Sequence, residues 1–116
     1  MSILNMVKLR CAIPSRVTVY DAEIRQLIID AIMDMITAGV PARILPDPET
    51  ISEETEGEPD QRVLTCITLY VQAYRGQDRT DTELYIRMYR NKLHKLMLEP
   101  EEGEDVDNVD QDAGNG

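Results

Sequence analysis

Asp30 and Asp34 stand one helical turn apart and are the first residues here whose type and spacing could do chemistry. Paired carboxylates perform acid–base work when a dry, structured pocket drives their proton affinities apart. Both fall on the one polar stripe of an otherwise apolar segment, where solvation or an ion pair to another subunit is the simpler reading. Metal chemistry has little to build on. His94 is the only histidine, Cys11 and Cys66 are the only cysteines, and no CxxC pair occurs. A zinc site would need carboxylates for most of its ligands. The tail DVDNVDQDAG invites a calcium reading, but an EF-hand loop needs alternating oxygen ligands, a glycine sixth and a glutamate twelfth. Counted from Asp105, the fifth position is Val109, the sixth Asp110 and the twelfth Gly116. The chain also lacks GxSxG, the phosphate loop, GxGxxG and HExxH. No catalytic residue, metal or cofactor is expected, and the chain does not read as an enzyme.

Recognition is better supported than reaction. Arg87, Arg90 and Lys95 share the outer face of a helical pattern with Asn91 and His94. Such cations can meet phosphates, an acidic patch on another protein, or only water, with the helix dipole favouring them near a C-terminus. The net charge of −10 argues against DNA as the partner, and its placement argues further. Seven acidic residues and no basic one lie between Asp47 and Asp60, and eight acidic residues and no basic one follow from Glu99. The rest of the chain then holds seven acidic against twelve basic residues. A positive helical body thus carries two negative appendages, and those would repel DNA rather than hold it.

The elements that must position these groups are helical. Ser2 can cap a short helix over 3–11, and Pro14 stops it. Residues 14–20, PSRVTVY, are β-branched and expected to be extended. Asp21 is the expected N-cap of a helix over 21–38, with Gly39 and Pro41 closing it. In that helix Ile24, Leu27, Ile28, Ala31, Ile32 and Met35 make one apolar face. Ile29, Met33 and Ile36 make a second line beside it. The polar residues Glu23, Gln26, Asp30, Asp34 and Thr37 occupy what remains. A surface helix of a small monomer needs one buried face, so this one is central or gives its second face to another chain. Residues 41–59 hold Pro41, Pro46, Pro48, Pro59 and the run SEETEGE. They read as a long acidic loop, disordered on the simplest view. Asp60 can cap a helix over 61–75, and Thr80 with Glu83 can form a capping box for a helix over 81–98. Val63, Leu64, Ile67, Tyr70, Val71 and Tyr74 face inward from the first; Ile86, Tyr89, Leu93, Leu96 and Met97 from the second. Residues 99–116 are too polar to fold alone. The whole is one all-α domain, a small helical bundle over 1–98 with an acidic tail over 99–116. With no Phe or Trp, aliphatic residues, Met and Tyr must fill its core. The cysteines are most simply buried free thiols in a reducing compartment, and no run is apolar enough to cross a membrane.

Four stretches also resemble one family, in order: Val7–Ile13 (VKLRCAI), Asp21–Val40 (DAEIRQLIIDAIMDMITAGV), Cys66–Gly76 (CITLYVQAYRG) and Tyr85–Leu98 (YIRMYRNKLHKLML). Together they are similar to the head-to-tail connector proteins of tailed phages. The resemblance implies a structural virion protein of the neck, present in the host cytoplasm during assembly. It implies a ring under the portal, expected to be twelve-fold, that extends the DNA channel and offers a platform to neck or tail proteins. DNA would pass without sequence-specific binding. Within that picture Ile29, Met33 and Ile36 are the expected subunit interface. Arg87, Arg90, Lys95 and Leu98 are expected to dock on the portal or another partner. Glu53, Glu54, Glu56 and Glu58 are expected to face the channel. The competing class is a small acidic regulator, an antitoxin or DNA mimic that occupies a basic partner; the charge of −10 supports it, and the confinement of that charge to loop and tail opposes it.

Overall fold

The computed structural model describes residues 1–75 and 79–100, with the backbone alone at 79 and 80. Four α-helices carry the chain: α1 (Ile3–Arg10), α2 (Asp21–Ala38), α3 (Gln61–Arg75) and α4 (Arg79–Leu96). A short 3-10 turn, Ala42–Ile44, follows α2. Among the described residues there is no strand, only an isolated antiparallel bridge between Ser2 and Glu54. The expected all-α bundle is the fold. No described helix is long and apolar enough to cross a membrane.

The helix ends follow their chemistry, with two exceptions. Ser2 Oγ accepts from the Asn5 amide at 3.1 Å, a cap of the kind that contributes ~1 kcal/mol. Asp60 Oδ1 accepts from the amides of Arg62 at 2.9 Å and Val63 at 3.4 Å and so opens α3. Gly39, at φ 105°, closes α2 in the left-handed region, with the Val40 amide returning to the Met35 carbonyl at 3.0 Å. α1 ends in the same device built on an alanine: Ala12 takes φ 63°, and the Ile13 amide reaches the Lys8 carbonyl at 2.8 Å. The first exception is Asp21. It is the first residue of α2, behind an N-cap Tyr20 that offers no side-chain bond. Its carboxylate is drawn instead to Lys8, whose Nζ lies 2.7 Å away. The second is α4, which runs Arg79–Leu96 where 81–98 is expected, so Thr80 falls inside the helix. The Thr80 side chain of the expected capping box lies outside the described residues.

α3 is the central element. Eight of its residues are buried, including Cys66, Thr68 and Ala73 on what the sequence presents as its weaker face. The Thr68 hydroxyl satisfies itself by donating to the Leu64 carbonyl at 2.9 Å. α2 covers one side of α3 with Ile24, Ile28, Ala31, Ile32 and Met35; α4 covers another with Tyr89 and Leu96; α1 closes the end with Ile3, Leu4 and Val7. Contacts at the helix ends give the directions. Arg75, at the end of α3, lies over the Tyr20 ring at 5.1 Å and 3.9 Å from Glu23 at the start of α2. Arg62, at the start of α3, bonds Glu99 just past α4 at 2.7 Å. α2 and α4 therefore both run against α3 and share a direction.

Two connections depart from expectation. Residues 14–20 are folded into turns, with the Val17 amide on the Pro14 carbonyl and the Asp21 amide on the Thr18 carbonyl, rather than extended. The cause is Lys8, which is fully buried and whose Nζ also donates to the Ser15 carbonyl at 3.1 Å, drawing the segment back over α1. The acidic loop is ordered, not disordered. Ile51 is 1 % exposed within the core, and its carbonyl accepts from the Leu4 amide at 2.9 Å. Ile44 and Leu45 pack beside it. These aliphatic side chains supply the burial that the surrounding carboxylates cannot.

Candidate functional site

The site is a set of surfaces rather than a pocket, and α2 carries the first. With its core face satisfied, the second apolar line stays outside. Ile29 is half-buried, Met33 is 50 % exposed and Ile36 is 44 % exposed. The α2 polar stripe points elsewhere. Gln26 donates to Asp30 at 3.0 Å, and Asp34 accepts from the Tyr89 hydroxyl of α4 at 2.6 Å. Asp34 stays exposed and also ties α2 to α4. Burial, followed by this bond and the charge of Asp34, raises the Tyr89 phenol well above its ordinary value. The Tyr89 ring also meets Tyr70 edge-on at 5.3 Å, and Tyr70 lies 4.6 Å from Tyr74. These tyrosines floor an open groove of about 390 Å³ between α2, α3 and α4, with Arg90 and Ile86 on its α4 wall.

The basic residues expected to act together are divided between two flanks of α4. Arg87 and Arg90 are exposed on the flank near α2, with Glu83 and Asn91. Lys95 is exposed on the other flank, where it joins Lys92, Arg62 and Gln61 around a cleft floored by Leu96. Arg10 reaches the edge of this cleft, donating to Gln61 at 2.7 Å and Thr65 at 3.2 Å. Leu98, 74 % exposed, projects just beyond the helix. The flank holding Lys95 also exposes Leu84 and Met88, residues that sequence reasoning did not assign to the surface.

The third surface is acidic. Glu53, Glu54, Glu56 and Glu58 are all exposed on a loop whose Ile51 anchors it to the core. Glu54 holds the N-terminal amine, and the Thr55 hydroxyl donates to the Met1 carbonyl at 3.1 Å. The root of the acidic tail is part of the fold rather than of the tail. Arg62 bonds Asp60 and Glu99 at 2.7 Å each, and Arg43 donates to the Pro100 carbonyl at 3.0 Å. The bond from Arg62 holds the carboxyl groups of Asp60 and Glu99 below the usual range. This clasp was missed because its members lie on three separate segments. The rest of the expected tail, from residue 101, lies outside the described residues.

The thiols are quiet. Cys66 is fully buried, and desolvation pushes its pKa up to about 11; Cys11 is half-buried at the end of α1 and is raised for the same reason. A thiol must ionise to act as a nucleophile or ligand, so neither is poised for chemistry. Among the described residues no group of His, Cys, Asp and Glu gathers in a way that would hold a metal ion.

The family model described as phage connector protein matches residues 3–103. No curated protein and no solved structure is matched.

Proposed function

The chain belongs to the phage connector protein family, and on that premise we propose that it is a structural subunit of the virion neck. In this reading it forms a ring under the portal, extends the DNA channel and gives neck or tail proteins their docking platform. The observation that carries the reading is the second apolar line of α2. Met33 and Ile36 stay half-exposed on a helix whose other face is fully packed. A helix of this kind asks for a neighbour. The test is the copy number of this chain relative to the portal subunit in purified DNA-filled particles, by quantitative mass spectrometry. A ratio near one is expected. Absence from particles, with the protein abundant in infected cells, would remove the structural role and favour a small acidic regulator.

The acidic loop is the part proposed to line the channel. Of the seven carboxylates in Asp47–Asp60, Asp60 is paired with Arg62 and Glu54 with the N-terminal amine; the other five make a surface that repels passing DNA and keeps it from sticking. Glu53, Glu54, Glu56 and Glu58 stand free of the core, so replacing them with Gln leaves the packing intact. The substituted particles should eject DNA more slowly, and more so at low salt, where the lost repulsion is least screened. Unchanged ejection at low salt would remove the loop from the channel.

A further inference from the structure

A ring built head to tail needs two different complementary surfaces on one chain. The α2 line supplies one. We propose that the other is the Leu84–Met88 flank of α4, so that α2 of each copy packs in parallel against α4 of the next. The inference rests on the ring reading above.

Three observations support it. The first is exposure. Leu84 is 45 % and Met88 38 % exposed, one turn apart on one line of α4. Such side chains are already partly buried, so either stripe alone has only part of its apolar area left to remove from water. Association must first offset the lost translational and rotational freedom before any surplus appears. Covering both stripes in the same contact is thus favoured over covering one against a polar surface.

The second observation is direction. On α4, Met88 lies about 160° around the helix from Arg90, which faces the groove shared with α2. On α2, Ile29, Met33 and Ile36 lie at least about 100° around from Asp34, which faces α4. Each stripe therefore looks away from the helix that carries the other. The two cannot meet within one chain, and they are disposed to meet between copies.

The third is charge. Arg25 is exposed one turn before Ile29, and Asp81 is exposed one turn before Leu84. Past the stripes, Lys92 and Lys95 follow on α4, where α2 offers Thr37 and the carbonyl end of its helix dipole. Both ends match when the helices lie parallel. α2 and α4 of one chain already share a direction, so parallel pairing requires no reversal between subunits.

The test is directional cross-linking with a short bis-maleimide, on the free chain and on purified particles. The single variants Met33→Cys and Met88→Cys and the double variant M33C/M88C are compared with the parent chain, whose two native thiols set the baseline. The double variant should give a ladder of multimers, and each single variant should give nothing above baseline. Arg25→Asp should reduce the ladder at least several-fold, and R25D/D81R should restore it. Two results would overturn the inference. One is a strong dimer from Met33→Cys alone, which signals a two-fold α2 contact. The other is no ladder from the double variant in particles that hold this chain at the portal ratio. That second result leaves the ring standing on other surfaces, whereas failure of the ring reading appears in the copy number itself.

Discussion

Lys8 has no solvent exposure, yet its amine is held by one carboxylate oxygen of Asp21 and one carbonyl, that of Ser15. The pair is lopsided, because the Asp21 side chain keeps 31 % of its exposure. That lopsidedness decides what each partner is worth. Removing Asp21 leaves a cation in the core with a single carbonyl, a situation that costs ~3–5 kcal/mol. Removing Lys8 leaves Asp21 Oδ1 buried without a hydrogen bond, but the carboxylate as a whole keeps partial exposure, and a methionine of similar length fills the space. Asp21→Ala should therefore destabilise by about 3 kcal/mol, and Lys8→Met by less than about 1.5 kcal/mol. Urea unfolding of the two variants checks this, and equal losses would mean that the polar contacts of the Lys8 amine, and not only the stranding of its charge, hold the connection. The pair was not legible in the sequence. A lysine in a short helix reads as a solvated charge, and an aspartate before an apolar run reads as a cap. Only their meeting across the α1–α2 connection shows that each has given up its local role for the other.

Between elements, the contact that best reports the assembly of the bundle is Tyr89 of α4 on Asp34 of α2, at 2.6 Å. Burial first, then the Asp34 bond, raises the Tyr89 phenol, so folding favours its neutral form. A group raised in this way stabilises fully below its unfolded value, ~10 for tyrosine, and the contribution is lost as the pH climbs past that value. Stability should hold from neutral pH to about pH 9 and fall above about pH 10. Tyr89→Phe should cost ~1 kcal/mol at pH 7 and reduce the alkaline fall, leaving the slope due to Tyr70 and to the thiols of Cys66 and Cys11, which burial also raises. Urea midpoints at pH 8 and pH 11 decide it, and an undiminished fall in the variant would assign the alkaline limb elsewhere. The helices themselves were legible, because apolar period and terminal chemistry agree. Asp60 caps α3, Gly39 closes α2, and the doubled apolar face of α2 already asks for more than one neighbour. What was not legible depends on distant partners. Ile51 in an acidic run gives no sign that the Leu4 amide awaits its carbonyl. The split of Arg90 from Lys95 onto separate flanks of α4 is set by their five-residue spacing, about 140° around a helix; the exposure of Leu84 and Met88 on one of those flanks follows from how α4 rotates against α3.

At the scale of the whole molecule, charge is partitioned: a positive helical body, a negative loop and a negative C-terminal segment. The clasp of Arg43 and Arg62 on Glu99 and Pro100 marks where the body ends and the segment from residue 101 begins. That boundary makes a docking role for the acidic segment separable from folding. A chain ending at Pro100 keeps every described contact of the bundle and loses seven carboxylates, which takes the net charge from −10 to −3. Its core is untouched, and relief of like-charge repulsion offsets any lost surface attraction, so its unfolding midpoint should stay within about 0.5 kcal/mol of the full chain. If the acidic segment docks on the portal, the shortened chain should no longer add to portal-containing heads. The full chain should add less well as salt rises, because contacts between exposed charges are screened over ~8 Å at physiological ionic strength and over less at higher salt. Sedimentation of reconstituted heads with full and shortened chains, at low and high salt, reads both effects together. A folded, shortened chain that still adds normally at low salt would confine the acidic segment to solubility and leave attachment to the helical body.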